Sequence, residues 1–434
     1  MEVAIGLLIL VAALVIGVPV PWAFGVTVIW LAFSLGYQTD FLLSTGYTQL
    51  NSVVLLAIPL FILAGSIMEK GSIGNALISL VSKFVGRVKS GLGTVGVVSS
   101  AIFGSISGSA SATLSCIGSI MEPRMTRAGY PKGHTAALMA AASPLGLLIP
   151  PSSAQILYAW ASNTSVLACF LSTVIPGIIL AVLLCIVNAF LVRKMPIRVE
   201  PKEPPRVWIR DTGQKTVRAL PALLMPFIIL GSIYGGVMTP TEAAAVSVLY
   251  AIPVGLWIYR SMNTRDLLNA VADAATTTGV VMVMFFMVMI MSRLLIMENI
   301  PRQIADALLG ITDNKILILL MINLFMIIIG MLMDDVSGIL LCTPILLPIA
   351  TSIGVHPVHF AAILGVNLGM GNITPPTAPM LYLGTRICRA RANETLLPTM
   401  MFILFAWLPT LMLTTFIPEL ALTIPKYVLP KLFS

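Results

Sequence analysis

The sequence predicts an all-α polytopic membrane protein, arranged as an inverted repeat of two halves that each hold five spans and one re-entrant hairpin. Three observations lead to this fold class. First, 58% of the 434 residues are hydrophobic and 10% are charged, whereas soluble domains carry about a quarter charged residues. Second, the chain contains many apolar runs of roughly 17 to 25 residues, the length that crosses a bilayer as a helix. Third, the sequence is internally duplicated.

Composition also excludes several classes of protein. Segments such as VAIGLLILVAALVIG do not alternate apolar and polar residues, so a membrane β-barrel is excluded. The net charge of +8 comes from basic residues in short loops, which set membrane orientation, and we expect no nucleic-acid partner. The five cysteines stand singly and only three histidines are present, so no redox or zinc site is expected. The start, MEVAIGLL, lacks a basic region and a cleavage site, so the first apolar segment is expected to be retained.

The predicted elements follow the apolar runs in chain order. Spans are expected near 3–18, 22–36, 53–69, 132–162, 166–193, 217–236, 240–259, 275–297, 356–385 and 394–424. Two further apolar stretches, 91–121 and 316–350, carry a polar, Gly-containing interruption and are predicted to be hairpins that enter and leave by the same face. The polar segment 193–218 is predicted to be a cytoplasmic linker between a first repeat, 1–192, and a second repeat, 219–434.

The duplication is visible at an offset of 225 residues, which aligns Pro123–Ser152 with Pro348–Thr377 without a gap. Nine of 30 positions are then identical, whereas chance gives roughly two or three at this composition. Duplications of this kind are typical of secondary transporters.

Loop charge indicates that the two repeats are inverted. Lys and Arg stay on the cytoplasmic side, and only the first hairpin is flanked by many of them. They are Lys83, Arg87, Lys89, Arg124, Arg127 and Lys132. The second hairpin has only Lys315 close by, so the two hairpins are predicted to open to opposite sides, with both termini periplasmic.

Four interruptions of the apolar runs carry the candidate chemistry. Two are hairpin tips, SISGSASAT at 105–113 and MDDVSG at 333–338, and two are helix breaks, SPLGLLIPPSS at 143–153 and NLGMGNITPPTAP at 367–379. A double proline stops a helix and leaves carbonyls free. Broken helices offer N–H groups to anions and carbonyls to Na⁺. Repeat symmetry pairs each tip with the break of its own half, which predicts two cation sites with a substrate cavity between the tips.

Each of these features also has a structural interpretation. Serine and glycine in a membrane helix often permit close helix packing, and a double proline can be a kink. Placing the carboxylates of Asp334 and Asp335 at membrane depth costs free energy, so these residues indicate a function unless the tip reaches water. The paired His134 and His359 favour structural hydrogen bonds over a proton relay. Glu69 and Glu298 at span ends are interpreted as interfacial, with Arg293 as a possible partner.

Over nearly its whole length, the chain resembles the large membrane subunit of tripartite ATP-independent periplasmic (TRAP) transporters, the DctM or SiaM family. The resemblance rests on the following segments: PLFILAGSIME, GSISGSASAT, MEPRMTRAGYPKGHTAAL, SPLGLLIPPSS, DDVSGILLCTPILLPIATSIGVHPVHF and NLGMGNITPPTAPMLYL. The second break reads PPTAP where the family usually has PPVG, which leaves the substrate open.

The resemblance implies a function and partners. The protein would be a Na⁺-driven importer of an organic anion, such as a dicarboxylate or sialic acid, in the bacterial inner membrane, and not an enzyme. A soluble periplasmic substrate-binding protein (P) would deliver the substrate. A small four-helix membrane subunit (Q) is expected as a separate chain, and transport would follow an elevator mechanism. A stand-alone sodium-coupled anion symporter remains the alternative. An intramembrane hydrolase using His134 is disfavoured because GSISG does not match G-x-S-x-G.

The resemblance also implies site residues. The first Na⁺ site would use Ser105, Ser107, Gly108, Ser109, Ser143 and Gly146. The second would use Asp334, Ser337, Gly338, Asn367, Gly371, Asn372 and Thr374. The substrate cavity would be lined by Ser111, Pro150, Pro151, Ser152, Asp335, Pro375, Pro376 and Thr377.

Overall fold

The computed structural model describes residues 2–71, 73–86, 88–199, 204–312 and 314–433, and all regular secondary structure in these ranges is helical. Arg87 and residues 200–203 of the predicted linker lie outside the described residues. The all-α fold class is therefore confirmed.

The first half of the chain contains twelve α-helices within the described ranges. They are α1 Glu2–Ile16, α2 Val20–Ser34, α3 Thr39–Leu50, α4 Ala57–Lys70, α5 Ile73–Val85, α6 Gly91–Ser107, α7 Ala110–Thr113, α8 Ser119–Arg127, α9 Lys132–Ala142, α10 Leu145–Leu148, α11 Ser153–Ala161 and α12 Val166–Leu191. A short π-helix, Leu114–Gly118, joins α7 to α8.

The second half contains eleven α-helices within the described ranges. They are α13 Pro205–Tyr234, α14 Pro240–Pro253, α15 Thr264–Met297, α16 Ile300–Ile311, α17 Lys315–Leu332, α18 Asp335–Ser352, α19 Pro357–Gly371, α20 Pro379–Cys388, α21 Ala392–Phe402, α22 Leu408–Phe416 and α23 Pro418–Val428. Capping boxes fix the start of two of them, with Thr239 and Glu242 at α14 and with Asn263 and Asp266 at α15.

Among the described residues, eight helical segments are long and apolar enough to cross a membrane, or nine if the bent pair Lys132–Leu148 and Ser153–Ala161 is one span. The protein is thus polytopic. Two of the eight segments are α17 and α18, the arms of the second hairpin, so six of the ten predicted spans qualify, or seven with the bent pair. Helices α1 and α2 have 15 residues each, about 22 Å at 1.5 Å per residue, which is short of a ~30 Å hydrocarbon layer. The predicted span 356–385 is divided into α19 and α20.

Three helices, α3, α5 and α16, lie where the sequence predicted no span or hairpin. In α5 and α16 the apolar residues recur at helical spacing on one face instead of forming a continuous apolar run. An amphipathic helix of this kind has polar residues on its other face and therefore forms no uniformly apolar run. Helix α15 also begins eleven residues before the predicted span at 275.

The helix bounds of the two halves correspond at the offset that aligns their sequences. Hairpin arm α6 begins at Gly91 and α17 at Lys315, while α9 begins at Lys132 and α19 at Pro357. Each broken helix contains a Pro-Pro pair, and both pairs have a cis peptide bond.

The two halves interlock in one hydrophobic core. Helix α9 of the first half packs against α20 and α21 of the second, and α12 packs against α19 and α23. Hydrogen bonds also cross between the halves, because Trp407 Nε1 donates to the Ala141 carbonyl at 3.1 Å and Tyr158 Oη to the Pro357 carbonyl at 2.6 Å. Outward-facing apolar side chains such as Phe33 and Phe227 are largely exposed and form the surface that lipid covers.

Candidate ion and substrate site

The first hairpin tip is a helix break enforced by glycine. Helix α6 ends at Ser107 because Gly108 has a φ of +60°, a left-handed conformation that costs glycine little. Ser109 is extended and its hydroxyl accepts a hydrogen bond from the Ala112 N–H, which caps α7. The segment SISGSASAT therefore presents one helix end and one helix start at the tip.

Hydroxyl and carbonyl oxygens cluster at this tip. The hydroxyls of Ser107 and Thr113 lie 3.1 Å apart, and Thr113 donates to the Ser109 carbonyl at 2.7 Å. The hydroxyls of Ser109 and Ser111 are also 3.1 Å apart. Thr113 was not among the predicted site residues. Its signal in the sequence is its spacing of four residues from Ser109, which places the two on one helix face.

The first tip contacts the break of its own half. The Ser153 hydroxyl donates to the Gly108 carbonyl at 2.9 Å. A methyl group added at Gly146 would lie 2.9 Å from the Thr113 hydroxyl and 3.0 Å from the Ser109 carbonyl. The Ser152 hydroxyl is buried beside this contact and has no hydrogen-bond partner among the described residues. The structure thus brings together Gly108, Ser109 and Gly146 from the predicted set.

Two predicted ligands point their hydroxyls elsewhere. Ser105 donates to the Ile102 carbonyl at 2.7 Å, and Ser143 donates to the Ala140 carbonyl at 2.9 Å. Both hydroxyls satisfy carbonyls of their own helix, as serine often does in apolar surroundings. A ligand role for either one requires its side chain to rotate away.

The second tip is built around Asp334. Helix α17 ends at Leu332, and Asp334 is the N-cap of α18. Its carboxylate accepts a hydrogen bond from the Ser337 hydroxyl, which also contacts Met284 Sδ on α15. A carboxylate at this place is stabilised by the positive end of the helix dipole. Asp335 follows in the first turn of α18 and is half-buried.

The second break lies against the first arm of its hairpin. The Asn372 side-chain amide is 3.2 Å from the Met333 carbonyl and 3.3 Å from the Gly330 carbonyl. In the amide orientation that satisfies these groups, the NH₂ group donates to both carbonyls. A methyl group added at Gly371 would lie 2.6 Å from the Gly330 Cα, so the two helices approach closely. The Thr374 hydroxyl donates to the Met370 carbonyl at 2.7 Å.

A buried amide network continues from this break. Asn367 Nδ2 donates to Asn323 Oδ1 at 2.9 Å, and Asn323 Nδ2 donates to the Thr415 hydroxyl at 3.0 Å. The Asn367 amide oxygen is buried without a partner among the described residues. Asn323 was not among the predicted site residues, and its signal in the sequence is that it is a single amide within the apolar run KILILLMINLF.

The residues predicted to line the substrate cavity differ in exposure. Pro150, Pro151 and Ser152 are buried, whereas Pro375 is half-buried. Three others are exposed: Ser111, Pro376 and Thr377. The Thr377 hydroxyl donates to the Met331 carbonyl, which holds this part of the second break on the tip of α17. Gly338 lies in the first turn of α18, packed against Leu368.

Three other polar residues have identifiable partners. His134 Nε2 lies 3.0 Å from Asn188 Oδ1, and His359 Nε2 lies 2.7 Å from the Thr414 carbonyl, so the predicted structural hydrogen bonds are confirmed. The expected pairing of Glu298 with Arg293 is wrong. Glu298 accepts from Tyr37 Oη at 2.7 Å, while the Arg293 guanidinium lies over the Phe41 ring.

Apolar spans interrupted by two polar tips and two helix breaks define a polytopic membrane transporter with discontinuous helices. Residues 7–420 match the family "Tripartite ATP-independent periplasmic transporter, DctM component". The chain belongs to this family of TRAP transporter large permease subunits.

Individual relatives carry related names. The chain is 34% identical to the isethionate TRAP transporter permease protein DctMQ of Oleidesulfovibrio alaskensis, over 94% of this chain and 64% of that protein's length. It is 34% identical to the C4-dicarboxylate TRAP transporter large permease protein DctM of Pseudomonas aeruginosa, over 86% of each chain. It is 33% identical to the sialic acid TRAP transporter large permease protein SiaM of Vibrio cholerae, over 78% of each.

A solved structure supports the fold. The Alcanivorax borkumensis YdaH transporter has a TM-score of 0.58 to this chain, covers 87% of it and 86% of its own chain, and is 17% identical. At that identity the likeness concerns the fold alone.

Proposed function

We propose that this protein is the large membrane subunit of a Na⁺-driven importer of an organic anion. The observation that carries the proposal is that, in each half, a polar hairpin tip lies against the break of the following helix. The relatives named above transport isethionate, C4-dicarboxylates and sialic acid according to their names. All three are small organic acids, so a carboxylate or sulfonate is the substrate class we expect.

The residues at the two tips fit a Na⁺ ion. Na⁺ is a hard cation that prefers oxygen ligands, and unwound backbone supplies them as carbonyls. The first tip gathers the Ser107 and Thr113 hydroxyls and the Ser109 carbonyl, with the unpartnered Ser152 hydroxyl close to the same contact. At the second tip the Asn372 amide faces two carbonyls beside Asp334. We propose that each oxygen group holds one Na⁺ ion.

Helix starts supply the complementary groups for the anion. The first N–H groups of α7 and α18 are at the two tips, and a helix N-terminus favours a bound carboxylate. A substrate between the tips would therefore be held by N–H donors, while Na⁺ at the adjacent breaks offsets its charge. Ser111 and Thr377 supply exposed hydroxyls at this place.

We propose that the two repeats, 1–192 and 219–434, are inverted. Four of the basic residues of the first hairpin region line one cavity with the linker and with the start of α13. The corresponding end of the second hairpin carries Lys315, near the Gly354 carbonyl. Cytoplasmic loops are enriched in Lys and Arg. The first hairpin would open to the cytoplasm, the second to the periplasm, and both termini would be periplasmic.

Packing supports an elevator mechanism. Helices α1, α2, α4, α14 and α15 pack on one another, as do α5 and α13, and they would form the scaffold. The hairpins and broken helices also pack on one another, α6 on α9 and α10 and α17 on α19, and would travel together as the transport unit. Its contacts with the scaffold would be those of α6 with α5 and of α18 with α15. Such a rigid-body movement would carry both ion groups and the substrate across a fixed scaffold.

The proposed partners follow from the family and from the proposed mechanism. A soluble periplasmic binding protein would deliver the substrate, and a small four-helix subunit would pack on the lipid-facing surface of the scaffold in the inner membrane.

Uptake by reconstituted vesicles tests the proposal. Proteoliposomes are prepared with this chain and its small subunit, and radiolabelled isethionate, succinate or sialic acid is offered with the cognate binding protein under an inward Na⁺ gradient. We expect uptake of one acid that stops when K⁺ replaces Na⁺. Omitting either partner should abolish it. Uptake of equal rate by this chain alone would instead identify a stand-alone symporter, and uptake without Na⁺ would refute the coupling.

A further inference from the structure

A basic cavity of about 710 Å³ lies at the open end of the first hairpin, outside both ion groups. Its charged lining comes from four separate stretches of chain: α5 and the turn after it, α8, the linker and α13. Six basic side chains line it, namely Lys83, Lys89, Arg124, Arg127, Arg198 and Lys215. Asp211 is the one acidic residue among the described residues of the lining, so that lining carries a large positive excess.

Part of this positive charge is not neutralised within the described part of the chain. Asp211 pairs with Lys83 and, at 3.2 Å, with Lys215. Lys89 donates to the Arg193 carbonyl at 2.7 Å. The guanidinium groups of Arg127 and Arg198, by contrast, make no hydrogen bond or ion pair with any described residue. Two exposed guanidiniums in one concave lining favour an anionic group, which they can bind in a bidentate manner.

Hydrogen bonds between the walls hold the cavity in shape. The Tyr130 hydroxyl donates to the Lys89 carbonyl at 2.9 Å, which joins the α8–α9 turn to the turn before α6. The Arg198 N–H donates to the Ala128 carbonyl at 2.8 Å, and Trp208 Nε1 donates to the Lys83 carbonyl at 3.2 Å. The linker and α13 are thus attached to the hairpin region on both sides of the cavity.

The same cavity also has apolar walls. Val88, Leu92, Ile197 and Val199 line it, and Val88 is 56% exposed. The adjacent Phe84 is 63% exposed and packs edge-on against Trp208. A small soluble anion has no apolar part to contact these walls, whereas a phospholipid has acyl chains as well as a phosphate.

We propose that this cavity binds the headgroup phosphate of an anionic phospholipid from the cytoplasmic leaflet. Arg127 and Arg198 would contact the phosphate, and the acyl chains would lie along Val88 and Phe84. Basic pockets between membrane helices on the cytoplasmic side recognise anionic headgroups in this way. The choice of leaflet rests on the topology proposed above, whereas the binding itself does not depend on transport.

Native mass spectrometry of the full chain in detergent tests this site. We titrate phosphatidylglycerol into the wild type and into Arg127→Gln/Arg198→Gln, with phosphatidylcholine as the neutral lipid. The matched control is Arg265→Gln/Arg391→Gln, which removes the same charge from exposed residues that do not line the cavity. We expect the wild type and the control to retain phosphatidylglycerol, and the cavity variant to bind it roughly tenfold more weakly.

Three results would overturn the proposal. They are equal binding of phosphatidylglycerol by the cavity variant, equal retention of phosphatidylcholine by the wild type, and displacement of the lipid by millimolar inorganic phosphate. The last result would identify a site for soluble anions. Because the readout is lipid binding, a failed uptake experiment leaves it unaffected.

Discussion

At the scale of single residues, two serines of the first tip and break, Ser107 and Ser152, differ from ordinary packing serines. Serine in a membrane helix usually donates to a carbonyl of its own helix, as Ser105 and Ser143 do. Ser107 instead faces Thr113, and Ser152 is buried without a partner among the described residues. A buried hydroxyl without a hydrogen-bond partner, such as that of Ser152, costs free energy unless a donor or a cation binds its oxygen.

Removal of one oxygen from each group tests the ion sites. Ser107→Ala and Asp334→Asn should each raise the Na⁺ concentration for half-maximal uptake by roughly tenfold, because an interaction with a charged group contributes about 1.5–3 kcal/mol. The measurement is the Na⁺ dependence of substrate uptake in proteoliposomes.

Ser119→Ala is the matched control for these two variants. Ser119 belongs to the same hairpin, and its hydroxyl donates to the Cys116 carbonyl at 2.9 Å. Its Na⁺ activation curve should be that of the wild type. If Ser107→Ala and Asp334→Asn also keep the wild-type curve, the polar tips are packing features and the proposed ligand sets are wrong.

The close approach at Gly371 makes a separate prediction about stability. In Gly371→Ala the new methyl group meets backbone atoms of Gly330, which cannot move aside as a flexible side chain can. We expect a destabilisation of about 1–3 kcal/mol, the usual cost of overpacking. Thermal unfolding in detergent, followed by tryptophan fluorescence, measures it.

Gly279→Ala provides the comparison, since no atom lies within 4 Å of its added methyl group within the described structure. Alanine favours a helix over glycine by about 1 kcal/mol, so this variant should be as stable as the wild type or more stable. Equal melting temperatures of the two variants would show that the helices at Gly371 are not in tight contact.

At the scale of elements, the sequence predicted the discontinuous helices better than the amphipathic ones. Glycine and proline mark the breaks directly, because Gly108 ends α6 and Pro150 and Pro375 stop the helices before them. Helices α5 and α16 carry no such marker and lack a long apolar run. Which oxygens meet at a tip could not be predicted, since a serine rotamer depends on neighbours from other helices.

Thiol labelling tests the orientation of the two hairpins. In a cysteine-free background, a cysteine at exposed Arg127 should be protected from an impermeant maleimide added to intact cells. A cysteine at exposed Ser352 should react. The physical reason is that the Lys and Arg side chains flanking the first hairpin stay in the cytoplasm. Labelling in permeabilised cells confirms that both thiols are reactive. Equal labelling of both positions in intact cells would refute the inverted arrangement.

At the scale of the whole molecule, the duplicated sequence predicted two similar halves but not how closely they are joined. Helix α9 of the first half packs on α20 and α21 of the second. Each half has its own tip and break, yet the helices between them share one hydrophobic core. Small residues on α9, such as those in HTAALMAAA, permit this packing, but small residues alone do not identify the helix that covers them.

The hydrogen bond from Trp407 to the Ala141 carbonyl has a consequence for biosynthesis. The two residues are 266 positions apart. The ribosome therefore completes α9 long before it synthesises Trp407, whose indole donates to the Ala141 carbonyl. Translation at about 5–20 residues per second leaves this interval at some tens of seconds. Throughout it, the face of α9 that packs against α20 and α21 lacks its partners, because those helices are still unmade. The nascent first half must therefore be sheltered by the insertion machinery or by a membrane chaperone until the last helices emerge.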